Sequence, residues 1–100
     1  MAIEVKEKDG MLEIVGHLSF QNISLIKGHL DSLFMVQKKL MVSLENVSSI
    51  DPSAARFLER FYKEAASKNK VLLLFGLQNL KICETMRNTG THYILNSDRV

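Results

Sequence analysis

A hydroxyl group at the predicted start of a helix is the feature of this sequence best placed to do chemistry. In Asp51-Pro52-Ser53, proline suits the first helical position, so Asp51 is the expected N-cap and Ser53 lies in the first turn. Unpaired N–H groups and the helix dipole favour an anion there by about 0.3–1 kcal/mol. The protein would tolerate a phosphate on Ser53, whereas a docked partner would have to desolvate about 1.5–2 negative charges. The segment Ser49–Ser53 therefore has the properties of a binding switch, although such residues also serve as ordinary caps.

Other residue types that often do chemistry are scattered along the chain. The sequence has no glycine-rich phosphate loop of the Walker type and no G-x-G-x-x-G after a predicted strand. His17, His29 and His92 fall on different predicted elements, where surface or boundary positions are expected, and no Cys/His spacing suits zinc. Cys83 lies at helical spacing with apolar neighbours, which favours a core position. We therefore expect no enzyme, no metal and no cofactor.

The elements that must position Ser53 begin with a predicted antiparallel hairpin. Apolar and polar residues alternate in segments 3–8 and 11–18, and Asp9-Gly10 between them suits a type I′ turn, in which both central residues have positive φ. From about Asn22 the apolar spacing becomes helical, with Asn22 or Ser19 as the cap. The predicted inner face of this helix consists of Ile23, Ile26, Leu30, Leu33 and Phe34.

A buried strand over residues 40–44 precedes the helix that carries Ser53. The apolar signal continues through Val47 and Ile50, which we assign to a loop. The helix should end near Ser67–Asn69. Its predicted inner face consists of Ala54, Phe57, Leu58, Phe61, Tyr62 and Ala65.

The remaining segments complete an α/β pattern. The apolar run Val71–Phe75 is typical of a strand covered on both faces. Asn79 is expected to cap a short helix that ends at Gly90, and the last five residues are polar enough to fray. The predicted order is β-β-α-β-α-β-α, with a mixed four- to five-stranded sheet. The apolar residues expected in the core are Leu80, Cys83 and Met86 of this helix and Tyr93, Ile94 and Leu95 after it.

Composition and charge limit the classes of partner. The 100 residues allow one domain, residues 1–100. The net charge of +2 is too small to indicate nucleic-acid binding, which usually needs a concentrated basic stripe. No stretch reaches the roughly 18 apolar residues of a membrane span, and the first residues lack the apolar run of a signal peptide. We expect a cytoplasmic protein that binds neither nucleic acid nor membrane.

Three segments, taken in order, carry a resemblance to a known family. Val15-Gly16-His17-Leu18-Ser19 is similar to a Gly-x-Leu-Asp motif before a first helix. The segment 44–54 looks like an apolar strand, a Leu-x-x-Val-x-x-Ile-Asp-Ser-Ser-Gly run and a helix. The segment 89–95 is similar to a closing Thr-Gly-Leu-x-x-x-Phe. Together they resemble the STAS family, named for sulfate transporters and anti-sigma-factor antagonists, over nearly the whole chain.

The resemblance implies a bacterial regulator of transcription that works by partner switching. In stand-alone family members the second residue after the aspartate is the phosphate acceptor, and the matching residues here are Asp51 and Ser53. Unphosphorylated, such a protein binds an anti-sigma factor that is also an ATP-dependent serine kinase, and so frees the sigma factor. Phosphorylation breaks the complex, and a metal-dependent phosphatase acting on Ser53 resets it. The implied partner-binding residues are Ser49, Asp51, Pro52, Ser53 and Ala54, together with Asn22 near the first helix.

Three departures from the family pattern keep a second function open. Pro52 replaces the first serine of the motif and removes a backbone donor, and Ala54 replaces the glycine and adds a methyl group where a kinase would approach. Ser19 stands where an aspartate is usual. The alternative is a STAS-like interaction subunit without a serine switch, for example an accessory subunit of a transport or scaffold complex.

Overall fold

The elements follow the predicted alternation of strands and helices, with one strand more than the predicted order and five strands in the sheet, as the predicted range allows. A computed structural model describes residues 3–96. The elements are β1 (Glu4–Lys8), β2 (Met11–Leu18), α1 (Ile23–Phe34), β3 (Lys39–Ser43), β4 (Val47–Ile50), α2 (Pro52–Ser67), β5 (Val71–Phe75), α3 (Leu80–Asn88) and a 3-10 turn (His92–Ile94). The additional strand is β4, so the prediction of a loop there is wrong. The predicted α/β class is confirmed.

The strand β2 organises the sheet because it pairs with three other strands. It is antiparallel to β1 and parallel to both β3 and β4, which follow one another along the same side of β2. Strand β5 is parallel to β3. The five strands together form one mixed sheet. At the hairpin turn, Asp9 and Gly10 have φ values of 54° and 79°, both positive as the type I′ prediction requires.

A short break separates β3 from β4, and the side chain of Asn79 closes it. The Asn79 amide donates to the carbonyl oxygens of Leu44 at 3.0 Å, Glu45 at 3.3 Å and Val47 at 2.7 Å. Its Oδ1 accepts a hydrogen bond from the backbone N–H of Ile82 at 3.4 Å, which confirms the predicted cap of α3. A single amide therefore satisfies the carbonyl groups that the break leaves without strand partners.

The helices bury the predicted apolar faces with few exceptions. In α1 the buried residues are Ile23, Ile26, Leu30 and Phe34, and in α2 they are Ala54, Ala55, Leu58, Phe61 and Ala65. The rings of Phe34 and Phe61 lie 6.1 Å apart and join the two helices. The prediction that Leu80 lies in the core is wrong. Helix α3 turns Ile82, Cys83 and Met86 inward and leaves Leu80 75% exposed.

The end of the described chain returns to the core. Gly90, at φ 73°, follows α3 as the predicted stop. Leu95 forms a bridge to Leu74 of β5, and both Ile94 and Leu95 are buried, whereas Tyr93 is 57% exposed and its core prediction is wrong. Residues 97–100, part of the end predicted to fray, lie outside the described residues.

Cys83 occupies the core position that its spacing predicts. Its side chain is 1% exposed, and its Sγ donates to the carbonyl of Gly76 at 3.4 Å. Burial raises the pKa of this thiol, which disfavours the reactive thiolate. Between residues 3 and 96, no helix is long and apolar enough to span a lipid bilayer.

Replacement of Gly76 by alanine tests the packing between the β3–β4 break and α3. A Cβ at this position would lie 2.8 Å from Cδ1 of the fully buried Ile82 and 3.4 Å from Cβ of Leu44. Gly76→Ala should therefore lower the free energy of unfolding by about 1–3 kcal/mol, measured by equilibrium urea denaturation. Gly28→Ala is the matched control, because nothing lies within 4 Å of its added Cβ. That change should raise the free energy by about 0.5–1 kcal/mol. A Gly76→Ala protein as stable as the wild type would contradict the packing described here.

Candidate functional site

The site lies where two parallel strands end side by side. Leu18, the last residue of β2, is the Cα partner of Ile50, the last residue of β4. The register shifts between Gly16 and His17, and Gly16 has a φ of 117° that glycine adopts readily. The backbone N–H of Asp51 donates to the carbonyl of Leu18 at 2.9 Å. The loop after β2 and the start of α2 are therefore neighbours.

His17, for which the sequence predicted only a surface or boundary position, contacts two residues of this site. His17 Nδ1 lies 2.5 Å from the Ser49 hydroxyl oxygen, and His17 Nε2 lies 3.3 Å from Oδ1 of Asp51. The other carboxylate oxygen of Asp51 accepts a hydrogen bond from the backbone N–H of Phe20 at 3.2 Å. The side chains of His17 and Asp51 are 37% and 39% exposed, so this polar contact contributes little to the free energy of unfolding. Together with the backbone bond from Asp51 to Leu18, the contacts of His17 and Asp51 connect the ends of β2 and β4 with the start of α2.

Serine, histidine and aspartate in contact with one another are also the residue types of hydrolase triads. Here His17 and Ser49 are Cα partners on adjacent strands, so their contact is the usual meeting of side chains on one sheet face. The carboxylate of Asp51 is shared between the imidazole and the backbone of Phe20. These contacts fit a structural network that positions the neighbouring surface.

The loop after β2 is held by Asn22, although not in the predicted way. Oδ1 of Asn22 accepts from the backbone N–H of Ser19 at 2.8 Å, and its amide donates to the carbonyl of His17 at 2.8 Å. Neither the Asn22 side chain nor the Ser19 side chain caps α1. The N–H of Ile23 donates instead to the backbone carbonyl of Ser19 at 2.9 Å. The side-chain cap predicted for α1 is therefore wrong. The closed loop presents the Phe20 ring, 69% exposed, to solvent.

The start of α2 confirms the predicted positions and corrects the role of Asp51. Asp51 is the N-cap residue and Pro52 begins the helix, but the Asp51 side chain makes no cap hydrogen bond. Its carboxylate is used by His17 and Phe20 instead. First-turn N–H groups have no acceptor within a helix, and the Asp51 side chain does not cap, so the N–H groups of Ser53 and Ala54 have no partner within α2. A helix end of the kind that favours negative charge thus lies directly beside the exposed Ser53 side chain.

The predicted partner-binding residues divide into three groups by exposure. Pro52 and Ser53 are exposed, whereas Ser49, Asp51 and Asn22 are partly buried and belong to the supporting network. Ala54 is 0% exposed, because the helix turns its methyl group into the core. Its predicted contact with a partner or an approaching kinase is therefore wrong. The predicted loop at Ser49 is also corrected, because that residue belongs to β4.

A shallow depression surrounds Ser53 and contains residues that sequence reasoning missed. The residues that line it, named here the Ser53 depression, are Phe20, Ser53, Arg56, Glu59 and Arg60. Phe20 comes from the loop after β2 and the others come from α2. The available sequence signals were an aromatic residue in a polar loop and an arginine one helical turn after Ser53. Neither signal reveals that the two elements meet.

The acidic residue in the Ser53 depression is already engaged. The Tyr93 hydroxyl donates to Oε2 of Glu59 at 2.5 Å, and Lys63 Nζ lies 3.8 Å from the same oxygen. The hydrogen bond to Glu59 raises the pKa of Tyr93, so the hydroxyl keeps its proton near neutral pH. Within residues 3–96, no group of three His, Cys, Asp or Glu side chains is arranged to hold a metal ion.

Comparison with known proteins defines the family. The model of the STAS domain family matches residues 1–96, and the chain belongs to that family. No curated protein sequence matched the chain. The structure is similar to that of the anti-sigma factor antagonist SpoIIAA in its unphosphorylated form, with a TM-score of 0.69 and 12% identity over 95% of this chain and 86% of that one.

Two further solved structures share the fold. An anti-sigma factor antagonist from Mycobacterium paratuberculosis has a TM-score of 0.64 and 12% identity, over 94% of this chain and 81% of that one. The protein Mglu has a TM-score of 0.57 and 14% identity over 71% of this chain, which spans 18% of the length of Mglu. At these identities the similarities establish the fold.

Replacement of Asn22 by alanine tests the structural role of this residue. Asn22→Ala removes two hydrogen bonds that close the loop, and should lower the free energy of unfolding by about 1–2 kcal/mol in urea denaturation. The amide NMR signals of residues 17–22 and of Asp51 should shift with it. Gln21→Ala is the control, because this neighbouring residue is exposed and the change should cost less than about 0.5 kcal/mol. Equal stability of the two variants would show that Asn22 does not hold the loop.

Proposed function

We propose that this chain is an anti-sigma-factor antagonist that binds an anti-sigma factor of the ATP-binding serine-kinase type in a partner switch controlled at Ser53. The observation that carries the proposal is the exposed Ser53 hydroxyl at a helix end whose N–H groups the Asp51 carboxylate leaves free. Membership of the STAS family and the fold shared with two anti-sigma factor antagonists support it. We place this activity in the cytoplasm, where ATP is available.

In the proposed reaction the partner supplies the catalysis and this chain supplies the acceptor. The Ser53 oxygen forms a bond to the γ-phosphorus of ATP, the bond from that phosphorus to the bridging oxygen of ADP breaks, and a base of the kinase takes the hydroxyl proton. A phosphatase later transfers the phosphoryl group to water. This chain carries out no catalysis of its own in the scheme, and needs no cofactor.

The geometry explains how one phosphate could end binding without unfolding the chain. The α2 N-terminus accommodates the new negative charge, so the fold is expected to persist. A partner that covers Ser53 would have to desolvate the phosphate, which raises the dissociation rate of the complex. The exposed ring of Phe20, on the rim of the same depression, offers an apolar anchor for that partner.

One feature favours the second candidate, a STAS-like interaction subunit with no serine switch. Pro52 is exposed at the first position of α2 and removes one N–H group from the anion-binding helix end. Ala54 does not favour it, since its methyl group faces the core. Incubation with the ATP-binding anti-sigma factor from the same genome and ATP, followed by intact mass spectrometry, separates the candidates. Addition of one phosphate to wild type but not to Ser53→Ala supports the switch, and no addition supports the second candidate.

Charge at position 53 should control affinity for that anti-sigma factor. Ser53→Asp should weaken binding about tenfold or more in isothermal titration calorimetry. The reason is that the new carboxylate at position 53 must lose its hydrating water when the partner covers it. Ser53→Ala should change the affinity less than about twofold. Ser67→Asp adds the same charge at the exposed far end of α2 and should also have little effect. Equal affinities of Ser53→Asp and Ser53→Ala would contradict the switch.

The apolar anchor is tested by truncation of the Phe20 ring. Phe20→Ala should weaken binding to the same anti-sigma factor by about tenfold, since a central aromatic residue commonly contributes about 1–2 kcal/mol or more. Met35→Ala is the matched control, because Met35 is 83% exposed and lies beyond the opposite end of α1. A larger loss of affinity from Met35→Ala than from Phe20→Ala would place the contact surface elsewhere.

A further inference from the structure

Arg56 is an exposed cation close to the proposed phosphate acceptor. It follows Ser53 by three residues on α2, a spacing that brings Cβ atoms to about 5–6 Å on one helix face. Both side chains are exposed and line the Ser53 depression. None of the ion pairs among residues 3–96 involves Arg56 or Arg60.

Neighbouring groups leave Arg56 available for an added anion. Glu59, the carboxylate in the same depression, accepts from Tyr93 and pairs with Lys63. Arg60 lies with its guanidinium carbon 5.6 Å from the centre of the Phe57 ring, and follows Ser53 by two helical turns. Arg56 and Arg60 form no ion pair within residues 3–96, and Arg56 is the nearer of the two to Ser53 along the helix.

We propose that Arg56 is the ligand that holds a phosphate on Ser53 within the protein itself. The inference rests on the proposed function only in taking Ser53 as the phosphate acceptor. A guanidinium group matches two phosphate oxygens with a pair of parallel N–H donors, and the free N–H groups at the start of α2 supply further donors. Phosphate, arginine and helix end would then form one compact cluster.

This cluster changes what phosphorylation does to the surface. Without phosphate, the Ser53 depression carries two arginines that form no ion pair within residues 3–96, while its carboxylate contacts Tyr93 and Lys63. With phosphate, about two negative charges are added and the Arg56 side chain is drawn toward the start of α2. Phosphorylation thus neutralises and rearranges a basic surface, in addition to placing an anion on it.

The test measures the second ionisation of the phosphate in three proteins. Phosphoserine is introduced at position 53 during translation by an expanded genetic code, in otherwise wild-type protein, Arg56→Gln and Arg60→Gln. Each is titrated by 31P NMR at low salt. The phosphate pKa should lie below its usual value of about 6 in the wild type, because Arg56 and the helix end favour the dianion. Arg56→Gln should raise it by about 0.3–0.7 unit, and Arg60→Gln by less than half as much.

Two outcomes would overturn the inference. Superimposable titrations of the wild type and Arg56→Gln would show that Arg56 does not bind the phosphate. Equal shifts in Arg56→Gln and Arg60→Gln would show a general effect of positive charge instead of a specific ligand. Unphosphorylated Arg56→Gln should unfold at the wild-type temperature, since Arg56 is exposed and outside the ion pairs within residues 3–96. Unphosphorylated Arg60→Gln should unfold slightly below it, because this change also removes the contact with the Phe57 ring. The titration uses no kinase, so a failure of Ser53 phosphorylation by the anti-sigma factor would contradict the proposed function and leave this result independent.

Discussion

The parallel pairing of β2 with both β3 and β4 is the constraint on which the site depends. If β3 and β4 were one uninterrupted strand, they would keep a single register along β2. The break between them, which Asn79 closes, allows β4 to pair with β2 in a shifted register. The shift sets His17 opposite Ser49 and ends both strands at the same edge. The loop of Phe20 and the start of α2 meet there as a result. Phe20 and Asp51, 31 positions apart in the chain, thus become parts of one surface through strand register.

The same constraint determines how the carboxylate of Asp51 is used. An aspartate at an N-cap usually bonds to its own helix, a contribution of about 0.5–2 kcal/mol. Here the carboxylate binds His17 and the backbone of Phe20, so local helix stability gives way to a tertiary contact. The helix end remains open to an anion. Such a departure from local preference is typical of positions that serve function.

Sequence patterns predicted the parts of the fold that depend on near neighbours. The hairpin turn at Asp9-Gly10, the inner faces of α1 and α2, and the Asn79 cap follow from local conformational preference and side-chain periodicity. The position of Ser53 at the start of a helix was predicted in the same way, since Pro52 marks the boundary. These features were predictable because each depends on a few adjacent residues.

The features that were missed depend on contacts across the fold. Strand β4 has four residues and is stabilised by pairing with β2, which local periodicity does not reveal. The partners of His17 become known only with the strand register, and the burial of Ala54 only with the rotation of α2 about its axis. Phe20 joins the Ser53 depression through the end of a different strand. Resemblance to a family singled out Ser53 as the candidate phosphate acceptor, and the structure added the surroundings of this residue.

We propose that the Ser53 depression is the surface that binds the anti-sigma factor. Hydrogen exchange of the backbone amides, measured with and without the ATP-binding anti-sigma factor from the same genome, tests it most directly. Binding should slow exchange in residues 19–22 and 51–56, at the ends of β2 and β4. Slower exchange at residues 35–37 and at Val71, with no change around Ser53, would contradict the account.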